Sequence, residues 1–263
     1  MKNMKSYEKF ALGLAQQAGR LMRQNFVLHM EKENKPEDGS PLTKTDLAIN
    51  QLVIDEVKKT FSGHGVLAEE QSDYSESDEF VWVCDPIDGT IPFSHGLPLA
   101  TFSLALVQSG QPILGVVYDP FLKNCFFAQQ GKGAYLNNKP IKVSNVNTLA
   151  SSVVFTEYWL QAPYNTLPLI KALEEVNCHA PILKSIARGG VMVAAGVAVG
   201  VIFPGSSSWD FAAVKIIVEE AGGKVTDFYG NEQRYDRKIK GCIASNGIMH
   251  AELLSLVEKT VLS

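Results

Sequence analysis

WVCDPIDGT, Trp82 to Thr90, runs from an apolar segment into two aspartates, Asp85 and Asp88, with Pro86 between them and Gly89–Thr90 after them. The residues leading into it, FVWVCD, are β-formers and predict a strand. Asp-Pro-x-Asp-Gly is also good turn chemistry, since Asp caps turns, Pro fixes φ and Gly accepts positive φ. A turn alone does not explain why two carboxylates crowd the end of an apolar strand, where each must be solvated or compensated. Acids stand at comparable places elsewhere: Glu69 directly after GVLA, and Asp210 at the head of WDFAAVKIIVEE.

Upstream, residues 6–27 read as an amphipathic helix with Phe10, Leu14, Leu21 and Phe26 at helical spacing. The charged stretch HMEKENKPEDGSPLTKTD reads as a loop or hairpin tip. Thr45 to Thr60 reads as a second helix, with Leu47, Val53, Ile54 and Val57 inward and Asp46 in its first turn, where a carboxylate suits the helix dipole. HGVLAEEQ holds a short strand. Downstream, ATFSLALVQSGQPILGVVYDP reads as two strands joined at Ser109–Gly110, and AYLNNKPIKV as a tight hairpin around Asn137–Asn138.

The second half alternates. SSVVFTEY, GVIFPG, GKVTDF and GCIAS read as strands, and PILKSI as extended chain. TLPLIKALEEV, ARGGVMVAAG and AELLSLVEKTVL read as helices, as does SSSWDFAAVKIIVEEAGG, with serine caps and glycine stops. The expected class is α/β (α+β), a single domain over 1–263. Its half 1–148 is rich in antiparallel sheet and carries the acidic motifs; its half 149–263 supplies Asp210 and substrate contacts.

The chain has 263 residues, 46% hydrophobic and 20% charged, which suits a globular fold with a large core. A formal net charge of -4 predicts no nucleic-acid partner and no anionic membrane surface. Cys84, Cys125, Cys178 and Cys242 lack CxxC spacing, so they read as reduced thiols of a cytoplasmic protein. The start MKNMKSYEKF has no apolar h-region, and no apolar run is long enough to span a bilayer.

If Glu69, Asp85, Asp88 and Asp210 converge, their repulsion is costly: two like charges about 4 Å apart cost roughly 4 kcal/mol at an effective dielectric near 20. Such a cluster calls for bound cations, or some of its members must protonate. Oxygen ligands without His or Cys favour Mg²⁺, with Mn²⁺ as the alternative. Two such ions can clamp the attacking and leaving oxygens of a phosphoryl transfer. Gly89 and Thr90 would offer N–H groups to a phosphate, and the Thr90 hydroxyl would hold a water and pass its proton to a nearby carboxylate.

With these residues in view, the chain resembles the inositol monophosphatase family, in the superfamily that includes fructose-1,6-bisphosphatase. The resemblance rests on TKTD (Thr43–Asp46), AEE (Ala68–Glu70), DPIDGT (Asp85–Thr90), GAYLNNKPIKVS (Gly133–Ser144), WDFAAVKIIVEEAGG (Trp209–Gly223) and IASNGIMHAELL, and covers almost the whole chain. It implies a layered αβαβα sandwich, a homodimer, and lithium-sensitive hydrolysis of a small phosphorylated metabolite with two or three Mg²⁺ ions per site. Carried onto this chain, Glu69, Asp85 and the Ile87 carbonyl would hold a first metal, with Asp85, Asp88 and Asp210 around a second. Asp46 would pair with Thr90 to activate the water, with a third, weaker ion beside Asp46. Glu69 is counted with Asp46 and Thr90 in the catalytic set. Asp88, Gly89 and Thr90 would touch the substrate.

The departures from the family pattern concern the substrate. Where inositol phosphatases carry a glutamate for substrate hydroxyls, this chain has Phe203; GSAA becomes KSIA, Lys184 to Ala187. Bisphosphate nucleotidases carry a Gly-Ser-Ser-x-Lys pattern here, which places Ser185 and Arg188 in comparable positions. Lys184 and Arg188 are therefore candidates for a second phosphate, and Phe203 for an apolar wall. Inositol 1-phosphate is the first expectation. A nucleotide 3',5'-bisphosphate, histidinol phosphate and fructose 1,6-bisphosphate are alternatives. A non-catalytic regulatory relative is the reading of another class, and the complete ligand set argues against it.

Overall fold

The computed structural model describes residues 4–28, 30–36 and 39–263. The first half opens with α1 (Met4–Asn25), a small hairpin of β1 (Glu33–Asn34) and β2 (Pro41–Leu42), then α2 (Lys44–Thr60). This hairpin is the expected loop or hairpin tip; its residues 29, 37 and 38 lie outside the described ones. A seven-stranded sheet follows in spatial order β3 (Gly65–Ala68), β4 (Phe80–Asp88), β5 (Thr101–Gln108), β6 (Gln111–Asp119), β7 (Asn124–Gln129), β8 (Ala134–Leu136) and β9 (Lys139–Ile141). Only the β3–β4 pair is parallel among its described pairings. The short helix α3 (Thr90–Ser94) joins β4 to β5. In the second half, β10 (Val154–Thr156), β11 (Gly200–Phe203), β12 (Lys224–Thr226) and β13 (Cys242–Ser245) form a four-stranded sheet. The helices there are α4 (Leu167–Glu175), α5 (Ile186–Ala194), α6 (Ala212–Glu220) and α7 (His250–Thr260).

Strand periodicity explains the layers. Along β4, Trp82 and Cys84 enter a core with α1 and α2, while Val81 and Val83 enter a second core with α5 and α6. That second core also holds Val201, Val225 and Ala244 of the four-stranded sheet. The far side of this sheet packs Val154, Ile202 and Ile243 against Leu173 of α4 and Leu253 of α7. The order is therefore α1/α2, large sheet, α5/α6, small sheet, α4/α7: an αβαβα sandwich. Gly115 lets α6 lie close on the large sheet, since a Cβ there would stand 2.9 Å from the Ala213 carbonyl oxygen.

Several local expectations hold. Ser109 and Gly110 both take positive φ between β5 and β6, as do Asn137 and Asn138 between β8 and β9; these are the turns that right-twisted hairpins favour. Others need correction. The buried stripe of α1 is made of Ala11, Leu14, Ala15, Ala18 and Met22, with Phe10, Leu21 and Phe26 at its margins. Leu47 is 43% exposed; Ile49 takes the inward place on α2. The serines 206–208 do not cap α6, which starts only at Ala212 after a turn and has no side-chain cap. PILKSI forms only an isolated bridge, Thr156 to Ile182. Strand β7 has no counterpart in the sequence reading.

Candidate active site

Asp85 and Asp88 sit three positions apart, and in a regular strand such residues point to opposite faces. Here β4 continues past Asp85 instead of turning, and its register shifts: Asp85 faces Ser103 and Asp88 faces Thr101, three steps on β4 against two on β5. This bulge holds Pro86, which has no N–H to give a ladder. The extra residue resets the parity and turns both carboxylates to one side. There Asp85, Asp88 and Asp210 each bring an oxygen within 4.8 Å of the others. Asp210 arrives from the turn before α6.

The environment of each acid differs. Asp85 is buried and accepts the Ile87 N–H at 3.0 Å. Burial, then the charges of Glu69, Asp88 and Asp210, hold its pKa well above the usual range. Asp210 is raised too, by burial first and then by the charges of Glu69, Asp88 and Glu157. Asp88 is raised by burial too, but hydrogen bonds work against it. It closes the N-terminus of α5, accepting from Ser185 Oγ at 2.5 Å, Ile186 N at 2.9 Å and Ala187 N at 3.0 Å, and also from Thr101 Oγ1 at 3.1 Å. Ser185 is thus the N-cap of α5 and a holder of Asp88.

Asp46 is set by TKTD. Thr43 is the N-cap of α2 and Asp46 its third helical residue, and they form a capping box. The Thr43 N–H reaches Asp46 Oδ2 at 2.9 Å, and the Thr43 hydroxyl bonds to the same oxygen. This leaves Oδ1 to accept from Thr90 Oγ1 at 3.2 Å. The same hydroxyl lies 3.0 Å from the Ile87 carbonyl oxygen, so its one proton chooses between the two. Burial pushes the Asp46 carboxyl up to about 6.

Glu69 pairs with Lys35, whose Nζ stands 2.7 Å from Glu69 and 2.8 Å from Glu70. Burial raises Glu70 to about 7. Gly89 takes φ +97 and caps α3; a Cβ there would press on the Lys184 carbonyl at 3.0 Å and on Ser185 Cβ at 3.1 Å.

The expected second-phosphate cations are engaged elsewhere. Arg188 is buried, with Nη2 2.8 Å from Asp119 Oδ2 and Nε donating to the Leu99 carbonyl at 2.7 Å. It clamps α5 to the end of β6 and to the segment after α3. Lys184 donates to the Tyr158 carbonyl and lies 3.7 Å from Glu157 Oε2. Phe203 is 4% exposed and packs between the rings of Phe211 at 5.9 Å and Trp159 at 6.1 Å, so it belongs to the core instead of forming an open wall.

Two residues escaped the sequence reading, and a third, Thr43, entered it only as part of TKTD and not as the partner of Asp46. Lys35 sits in a charged stretch with nothing to single it out. Glu157 ends the strand SSVVFTE as Glu69 ends GVLA; it is buried, and burial pushes it up to about 7.

The donor set fits a hard divalent cation. It is all oxygen, and the aspartates gather at a separation where uncompensated carboxylates repel strongly. Ser103 Oγ, opposite Asp85 in the register, is buried without a partner among the described residues.

Comparison with known proteins agrees with this geometry. The chain is 34% identical over 252 residues to a fructose-1,6-bisphosphatase/inositol-1-monophosphatase of Thermotoga maritima, covering 96% of each. It is 32% identical to a histidinol-phosphatase of Chlorobaculum parvum, covering 95% of each. The solved IMPase of Thermotoga maritima superposes with a TM-score of 0.87 at 33% identity over 97% of each chain. The inositol monophosphatase of Anabaena gives 0.87 at 29% identity over 98% of each. The profile of the inositol monophosphatase family matches residues 3–262, and the chain belongs to this family of metal-dependent phosphoric monoester hydrolases.

Proposed function

We propose that this protein is a Mg²⁺-dependent phosphomonoesterase for a small phosphorylated metabolite, acting through a directly attacking water, with inositol 1-phosphate as its first candidate substrate. The observation that carries the reading is the convergence of Asp85, Asp88 and Asp210 beside the Asp46–Thr90 hydrogen bond. In this reading Glu69, Asp85, the Ile87 carbonyl, Asp88 and Asp210 hold two or three Mg²⁺ ions, which supply positive charge against the phosphoryl oxygens and lower the pKa of water.

The chain's own groups do the rest. Thr90 Oγ1 takes a proton from the attacking water as it passes its own to Asp46 Oδ1. A carboxyl near 6 can be ionised at neutral pH and still accept that proton. The Gly89 and Thr90 N–H groups face the phosphate from a turn that Lys184 and Ser185 back closely. Fixed donors of this kind cost no reorganisation in the transition state. No covalent enzyme intermediate is required.

The engagement of Arg188 with Asp119 weighs against a bisphosphate as the preferred substrate. Homodimerisation, lithium sensitivity and a cytoplasmic location are part of the proposal. Exposed Leu97 and Leu28, with Gly96 packed on Leu28, form an apolar patch that supports this part of the proposal. Among the described residues no helix is long and apolar enough to cross a membrane.

The test is phosphate release from inositol 1-phosphate, adenosine 3',5'-bisphosphate, histidinol phosphate and fructose 1,6-bisphosphate, with Mg²⁺ and with EDTA. Metal-dependent turnover led by inositol 1-phosphate is the expected result. Turnover that persists in EDTA would sink the metal assignment. A different leader would replace the substrate and leave the mechanism standing.

A further inference from the structure

The helices α1 and α2 lie over β3 to β6, and β7 and β8 extend beyond them. A groove of about 940 Å³ opens between α1 and these outer strands, and none of its lining residues belongs to the acid cluster. Its chemistry is sorted. Glu8, Leu12, Gln16 and Arg20 follow one another along one face of α1. Cys125, Phe127 and Gln129 alternate on β7 and share one face of the sheet. Leu12, Cys125 and Phe127 are half-buried against the α1/α2 core and make an apolar floor.

The rim is cationic. Lys5, Arg20, Arg23, Lys123 and Lys132 line the groove against one acid, Glu8. The whole chain carries 24 basic and 28 acidic residues, so this is a local excess. Among the described residues Arg20, Lys123 and Lys132 enter no ion pair. Arg23 is fixed at one end, where Nη1 donates to the Pro120 carbonyl at 3.2 Å, close in sequence to Lys123. The volume falls within the usual range for small-molecule sites, about 300–1,000 Å³.

We propose that this groove binds an organic phosphate, with its phosphate groups against Arg20, Arg23 and Lys123 and its flat apolar body on Leu12 and Phe127. Guanidinium groups match phosphate oxygens in pairs, and the floor accounts for a body that inorganic phosphate lacks. This binding is independent of the catalytic reading, because it needs neither metal nor turnover.

The experiment is calorimetric titration of the full chain in EDTA at low salt, with ADP as probe and pyrophosphate and adenosine as controls. Without metal the acid cluster has no cation to offer a phosphate. One ADP per chain is expected, with both controls weaker. Arg20→Glu with Lys123→Glu should weaken ADP by about tenfold or more, and Asp210→Asn should leave it unchanged. Absence of ADP binding, or binding indifferent to the charge reversal, overturns the proposal. A changed ADP affinity in Asp210→Asn, tighter included, would move the ligand to the acid cluster and also overturn it. Pyrophosphate equal to ADP would remove the role of the floor. Should the reversed variant melt early, Arg20→Gln with Lys123→Gln asks the same question at smaller charge change.

Discussion

At Asp88 one carboxylate answers donors from Ser185, Ile186, Ala187 and Thr101, and an amide offers only one acceptor oxygen to the same set. Asp88→Asn is therefore expected to lose most turnover and also about 1–3 kcal/mol of stability, the cost of buried donors left unpaired. Urea denaturation beside a phosphate-release assay checks both. His250 gives a separate pH signature. It is buried between Ser245 Oγ at 2.9 Å and Thr226 Oγ1 at 3.0 Å, and burial, with Lys224 nearby, lowers it to about 4. A lowered histidine leaves the unfolded chain the better proton binder, so its contribution is full above pH ~6.5 and fades as pH falls toward 4. The stability advantage of the native chain over His250→Gln should shrink by about 3 kcal/mol between pH 7 and pH 4. Denaturation midpoints across that range measure it; a constant difference would remove His250 from the acid response.

At the scale of elements, the approach of α5 to the β4–α3 turn decides the geometry of the site. Gly89→Ala forces a side chain into left-handed backbone and against the Lys184 carbonyl. We expect a loss of about 1–3 kcal/mol, with a fall in kcat larger than any change in KM. Steady-state kinetics and thermal melting test this together. Arg188 secures the other side of α5. Arg188→Ala leaves Asp119 buried without its cation and should cost about 3–5 kcal/mol. It should slow mono- and bisphosphate substrates alike. A selective loss on bisphosphates would return Arg188 to the substrate. At this scale the sequence was partly legible. The tight turns at Ser109–Gly110 and Asn137–Asn138 announce themselves through residues that tolerate positive φ. The serines before α6 do not, because a capping residue type says nothing about where a helix will begin.

Across the whole molecule, Asp210 in the C-terminal half stands against Asp85 and Asp88 in the N-terminal half, so folding must bring like charges together. Asp210→Asn is expected to raise the melting temperature in EDTA, corresponding to about 1–2 kcal/mol, less than the roughly 4 kcal/mol Coulomb figure because protonation and Lys35 already relieve part of the repulsion. The native chain should instead gain about 2.7 kcal/mol from Mg²⁺ at one hundred times its Kd, a gain the variant largely lacks. Melting with and without Mg²⁺ reads both. A variant no more stable in EDTA would mean that the acids do not repel as their spacing implies.

The sequence alone determined the order of most elements, because apolar periodicity and turn residues are local signals. It also singled out candidate acids, because a carboxylate at the end of an apolar strand is costly wherever the chain goes. Tertiary structure alone decided their partners. Only the β4 bulge shows how Asp85 and Asp88, of opposite parity, come to one side. Only packing shows that Arg188 meets Asp119, that Lys184 meets Glu157, and that Phe203 lies inside the core. A charged or aromatic side chain reads the same in sequence whether it faces substrate or a buried neighbour. The choice rests on long-range contacts, which no local pattern encodes.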